Sequence, residues 1–183
     1  MSVSARAARL LAWATVSLVV SGCATVAPGD GLAGDLISGR ISIRVEATAD
    51  AASRALNAAF ELEGDAQVGK LSLASALGTM LAQVSWSPGR ALLVTPQERS
   101  AYTDLDSLTE KLLGESVPVG ALFDWLRGRP WPAVESRVNA APAEPGFRQL
   151  GWQVNLASFD DALVSATRER APVVTVRAKL DRN

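Results

Sequence analysis

Cys23 is the residue whose position most directly points to chemistry. It is the only cysteine in 183 residues, and it follows Val20-Ser21-Gly22, an apolar residue and two small ones. Ahead of it, Leu10 to Val20 is apolar apart from Thr15 and Ser17, and Arg6 and Arg9 precede that run with no acidic residue nearby. A run of roughly 11 residues is too short to cross a bilayer core, which takes about 20. It has the length of the apolar region of a secretory signal. The four residues ending in Cys23 look like a lipobox, so the thiol is expected to receive diacylglycerol and to become the new N-terminus after cleavage. A lone cysteine in an exported chain has no disulfide partner, and lipidation accounts for it.

Other candidate chemistry is weak. Gly29-Asp30-Gly31-Leu32-Ala33-Gly34 matches G-x-G-x-x-G, but no strand precedes it and no helical period follows, as a dinucleotide site requires. Gly64 to Lys70 resembles a phosphate-binding loop until Leu71 stands where Ser or Thr would hold magnesium, and the residues after it alternate like a strand. A phosphate loop feeds a helix N-terminus, so this segment reads as a turn between strands. Glu61, Glu63 and Asp65 read as a solvated strand face rather than the paired carboxylates of a hydrolase. No nucleophile-elbow motif occurs. The chain has no histidine, which removes the usual general base and histidine metal ligands. These features argue against an enzyme and imply no cofactor and no metal.

Removing Arg6 and Arg9 with the signal leaves 16 basic against 19 acidic residues, a net charge of −3. No basic run stands out, which argues against nucleic acid and against an electrostatic hold on anionic lipid.

The elements come next. Ala24 to Asp35 is rich in Gly, Pro and Ala without hydrophobic period, as expected of a flexible tether. From Ile37 the chain alternates with period two, the mark of strands with one apolar face. Ile41, Ile43 and Val45 alternate with Ser42, Arg44 and Glu46. Phe60 and Leu62, Leu71 and Leu73, and Ala82, Val84 and Trp86 do the same in their runs. Ala91 to Thr95 and Arg99 to Thr103 read as another pair. Two helices follow. Thr103 to Asp106 opens the first in capping-box register; Leu105, Leu108, Leu112 and Leu113 form its stripe, and Gly114 ends it. Pro118 opens the second, which carries Leu122, Phe123, Trp125 and Leu126 and stops at Gly128 and Pro130. Strands resume at Trp152 to Leu156 and Val173 to Leu180. The fold class expected is a mainly antiparallel β (α+β) sheet, curved, with a helical insert. Periodicity alone favours helices that fill the sheet over a sheet with a cavity.

One ordered set of segments is more specific. Leu36 to Val45 (LISGRISIRV), Gly69 to Gly78 (GKLSLASALG) and Val84 to Ala91 (VSWSPGRA) come first. Leu105 to Gly114 (LDSLTEKLLG), Val117 to Val119 and Leu122 to Pro130 (LFDWLRGRP) follow. In this order, behind a lipobox, they resemble the LolB family of outer-membrane lipoprotein receptors. The resemblance implies residues 1–22 as signal, 23–35 as lipidated tether and 36–183 as a lipoprotein-binding domain. It implies an incomplete, unclosed β-barrel with helices over an apolar concave face, of the LolA/LolB-like kind. It also implies a monomer, lipid-anchored on the periplasmic face of the outer membrane, that accepts lipoprotein cargo from the carrier LolA. Acyl chains would meet Ile41, Ile43, Val45, Phe60, Leu62, Leu71, Leu73, Val84, Trp86, Leu112, Leu122, Phe123, Trp125 and Leu126 as cavity or lid. The family's Pro-Leu-Gly delivery loop corresponds to Ala76-Leu77-Gly78, making Leu77 and Gly78 the membrane-insertion residues. The alternative is a structural or assembly lipoprotein that binds a protein partner without an acyl cavity.

Overall fold

The computed structural model describes residues 36–181; Cys23, the signal and the tether lie outside the described residues. Eleven strands form one sheet. They are β1 (Ile37–Val45), β2 (Arg54–Gly64), β3 (Gly69–Ala74), β4 (Met80–Ser87), β5 (Arg90–Val94) and β6 (Arg99–Tyr102), then β7 (Ser136–Val138), β8 (Gly146–Gln149), β9 (Trp152–Asn155), β10 (Leu163–Arg168) and β11 (Val174–Leu180). Between β6 and β7 lie the helices α1 (Leu105–Leu113) and α2 (Val119–Trp125). The order across the sheet is β6-β5-β4-β3-β2-β1-β11-β10-β9-β8-β7. Every pairing is antiparallel. β6 and β7 are the two free edges, so the barrel is unclosed.

Alternation builds the faces. Ile41, Ile43 and Val45 are buried, while Arg40 and Arg44 on the opposite face are exposed. Phe60 and Leu62 are buried on the next strand, as are Val84 and Trp86 on β4. Each fully buried large apolar side chain contributes about 1.5–3 kcal/mol. α2 closes the apolar face. Its Phe123 meets Trp86 edge-on, with ring centroids 5.8 Å apart. Its Trp125 meets Phe147 at 6.4 Å and Trp152 at 6.0 Å on the far side. One short helix thus joins the two halves of the sheet, and the core runs from sheet to helix without a break.

The turns explain the misleading motifs. The run from Gly64 to Lys70 is the β2–β3 turn. There the Asp65 carboxylate accepts the backbone N–H of Gln67 at 2.7 Å and of Val68 at 2.9 Å. Trp86 Nε1 donates to the Asp65 carbonyl at 3.1 Å. Gly69 is required because a Cβ there would lie 2.2 Å from the Trp86 ring. At α1 the cap is Asp104, one residue later than expected. Its backbone is extended and its side chain accepts the Ser107 N–H at 2.7 Å, so the capping register starts at Asp104, and the Thr103 hydroxyl hydrogen-bonds both the Asp104 carboxylate and the Ser107 hydroxyl. Gly114 ends the helix in the left-handed conformation, as expected.

Candidate functional site

Leu77 sits on the β3–β4 loop and is 94% exposed. The loop is tied down despite this. The Ser75 hydroxyl accepts the backbone N–H of Leu77 at 3.3 Å and of Thr79 at 3.2 Å. Ser75 N–H donates to the Thr79 carbonyl at 2.8 Å, and Gly78 N–H to the Ser75 carbonyl at 2.9 Å. Gly78 has φ of 80°, a value that suits glycine. Ser75 therefore supplies the local order that a proline at position 76 would otherwise give. Met80 and Leu81, at the base of the loop, are also exposed, so the hairpin tip is an apolar wedge on a satisfied backbone.

The concave face differs from the expected open cavity. Ile41, Ile43, Val45, Phe60, Leu62, Val84, Trp86, Leu122, Phe123, Trp125 and Leu126 are buried in one continuous core, and Leu71 and Leu73 pack against it. Leu112 stands apart at 45% exposed. Leu105, Leu108 and Leu113 of the same stripe pack on the core, whereas Leu112, in the last turn of α1, stands largely in solvent.

Open volume lies instead in a cleft of about 770 Å³. It reaches from the β2–β3 and β4–β5 turns, past the first turns of α1 and α2, to Trp152 and Arg168. Its apolar wall includes Leu105, Val119, Trp131, Leu150 and Trp152; of the residues expected as lining, Trp86 alone belongs to it. Its polar rim carries Asp104 and Asp106 on one side and Arg90, Arg168 and Arg170 on others. The Asp104 carboxyl is held below the usual carboxylate range, first by the Ser107 backbone N–H and then by the Ser107 hydroxyl. The Asp65 carboxyl is lowered too, by Val68 and then Gln67 N–H. Both carboxyls are charged at neutral pH, and their contribution to stability is lost only as pH falls through those lowered values.

Two polar fastenings, neither foreseen from sequence, hold the insert to the sheet. Gln149, only 3% exposed on β8, uses its full side-chain capacity. Its Oε1 accepts Trp125 Nε1–H at 2.8 Å and Trp131 N–H at 2.9 Å. Its Nε2 donates to the carbonyls of Trp131 and Val134, both at 2.7 Å. Arg168 is ion-paired with Glu115, which lies between the helices, and its guanidinium stands 5.7 Å over the Trp152 ring. No helix among the described residues is long and apolar enough to cross a membrane.

The architecture is that of an open antiparallel barrel capped by a helical insert, with an apolar hairpin tip held out in solvent. Comparison with known proteins gives it a family. The family model described as outer membrane lipoprotein LolB matches residues 36–177. The outer-membrane lipoprotein LolB of Cupriavidus metallidurans is 33% identical over 173 residues, covering 90% of this chain and 82% of that protein. That of Bordetella petrii is 33% identical over 162 residues, covering 84% and 81%. That of Bordetella pertussis is 36% identical over 155 residues, covering 78% and 74%. The chain belongs to the LolB family of outer-membrane lipoproteins.

Proposed function

We propose that this chain is an outer-membrane receptor that accepts lipoproteins from the periplasmic carrier LolA, binds their acyl chains, and inserts them into the outer membrane. The observation that carries this reading is Leu77, a leucine 94% exposed on an ordered hairpin tip in a chain of this family. In this reading residues 1–22 are a cleaved signal, Cys23 carries the lipid, residues 23–35 are the tether, and 36–183 are the receptor domain, working as a monomer.

Acyl chains enter by the cleft, beside Trp86 and Trp152, and spread between the insert and the concave face as α2 yields. Ile41, Ile43, Phe60, Leu62 and their neighbours then contact hydrocarbon in place of the helix. Transfer needs no bond to be made or broken. Each buried methylene is worth about 0.8 kcal/mol, so a gradient of affinity from carrier to receptor to bilayer gives the direction. Leu77, with Gly78 as its pivot, enters the acyl boundary and opens the way out.

A filled concave face favours a second reading, an assembly lipoprotein that binds a protein partner and no acyl chain. A two-step assay separates the two: a labelled lipoprotein is followed from carrier to receptor, then from receptor to vesicle. Leu77→Glu is expected to accept cargo normally and to lower delivery roughly tenfold or more, since charge is costly in hydrocarbon. Normal delivery would remove the loop from the mechanism. Failure of both steps in the variant would make Leu77 structural. No saturable acceptance by the unaltered receptor would leave the assembly reading.

A further inference from the structure

Four cations assemble on the convex face, and the linear sequence hides them. Arg40 on β1 and Lys179 on β11 are direct cross-strand partners. Arg177 lies opposite Ser42, and Arg44 lies opposite Thr175. All four are exposed, on the side of the sheet away from Ile41, Ile43 and Val45. Same-face residues along a strand are about 7 Å apart and neighbouring strands about 4.8 Å, so the group occupies a patch roughly 15 Å long. Its in-register neighbours are uncharged: Ala55, Asn57 and Ala59 on β2, and Leu163, Ser165 and Thr167 on β10. Carboxylates flank the group at its ends: Glu46 follows Arg44 on the same face, Glu61 is diagonal to Arg40, Asp181 accepts from Ser38 Oγ, and Asp161 lies beside Lys179. None of the four cations is ion-paired with a described residue; the Lys179 amine donates to the Asp161 carbonyl. Like charges directly opposite across strands are destabilising, and an external anionic surface would relieve that repulsion.

The patch borders the insertion loop. Its first row runs Leu163, Lys179, Arg40, Ala59, Ala74, Met80 across six strands. Arg40 is therefore two strand spacings, about 10 Å, from the start of the loop. β3 is heading toward the rows of Ser42 and Arg44 when it ends at Ala74, so Leu77 projects toward the same end of the sheet as Arg177 and Arg44. Residues 23–35 can reach at most about 45 Å, and the nine-residue β1 is about 30 Å long. The span of thirteen residues therefore does not by itself select which face meets the bilayer.

We propose that the convex face of β1 and β11 docks on the anionic phospholipid head groups of the bilayer and so turns the β3–β4 loop toward the membrane. This rests on the anchor and loop roles given above and adds the face that orients them. The chain is net acidic, yet screening confines electrostatic attraction to about 8 Å, so the local patch decides.

The test uses the full lipidated chain in vesicles, with an environment-sensitive fluorophore on Asn57→Cys beside the patch and, separately, on Val138→Cys at the β7 edge. Phosphatidylcholine vesicles are compared with vesicles that also contain phosphatidylglycerol. The Asn57 probe is expected to shift and to be quenched by head-group quenchers only with the anionic lipid, and to revert in high salt, while the Val138 probe stays in water. Each cation near such a surface is worth about a fivefold change, so Arg40→Gln with Lys179→Gln should weaken the docking equilibrium roughly 25-fold, and Arg40→Lys should keep it. Equal signals in both vesicles, or an unchanged signal in the double variant, would overturn the proposal. So would a double variant that docks normally but no longer accepts cargo, since the patch would then bind an acidic protein. A normal Asn57 response in a chain that never accepts cargo would sink the receptor reading and leave this one standing.

Discussion

Leu77 and Gln149 stand on opposite sides of the usual partition. One is a leucine 94% exposed at a hairpin tip; the other is a glutamine 3% exposed in the core. The leucine forgoes about 1.5–3 kcal/mol of burial, and its backbone is satisfied by Ser75. The glutamine would be costly alone, because each unsatisfied buried polar group costs about 1–3 kcal/mol. It avoids that cost by spending every donor and acceptor on the insert and its connector. The contrast separates an apolar residue that the core does not hold from a polar one that joins the insert to the sheet. The first can change without harm to the fold; the second cannot.

That contrast can be broken at three strengths. Gln149→Leu keeps the volume and strands Trp125 Nε1, two groups of Trp131 and the Val134 carbonyl. The expected loss is about 3 kcal/mol, read from the denaturant midpoint; a loss under about 1 kcal/mol would mean the junction repairs itself. Ser75→Ala should cost about 0.5 kcal/mol and speed amide hydrogen exchange at Leu77 and Thr79. Unchanged exchange there would show that the hydroxyl does not order the tip. Leu77→Glu should change stability by no more than about 0.5 kcal/mol. A larger loss would place Leu77 in the fold and erase the distinction.

Legibility follows the same line. β1 to β4 could be read because their inward positions are mostly Ile, Val, Leu, Phe and Trp and their outward ones mostly polar. The helices were legible from Gly114, Pro118 and the leucine and aromatic stripes. β7, β8 and β10 were not. The inward residues of β10 are Val164, Ala166 and Arg168, with Leu163 facing out, and those of β8 include Gln149. Gln149 and the Nη2 of Arg168 find partners far along the chain, which no local period reveals. The packing of the concave face escaped for a related reason: alternation tells which side is apolar, and α2 decides what fills it. No basic run in the sequence marks the basic patch, because Arg40 and Lys179 meet only through strand register.

The position of β1 also sets the order of assembly. It is the sixth strand across the sheet, flanked by β2 and β11, the elements made just after it and last of all. As the chain emerges N-terminus first, β1 to β6 can form hairpin by hairpin from local contacts. Within the sheet, the other five strands join the first six only through the β1–β11 pairing of Gly39 to Val45 with Val174 to Leu180. Such distant pairing is slow, since loop closure must precede its reward. The edge of β1 stays open until the final strand arrives, and losing that strand would cut β7 to β10 out of the hydrogen-bonded sheet at once.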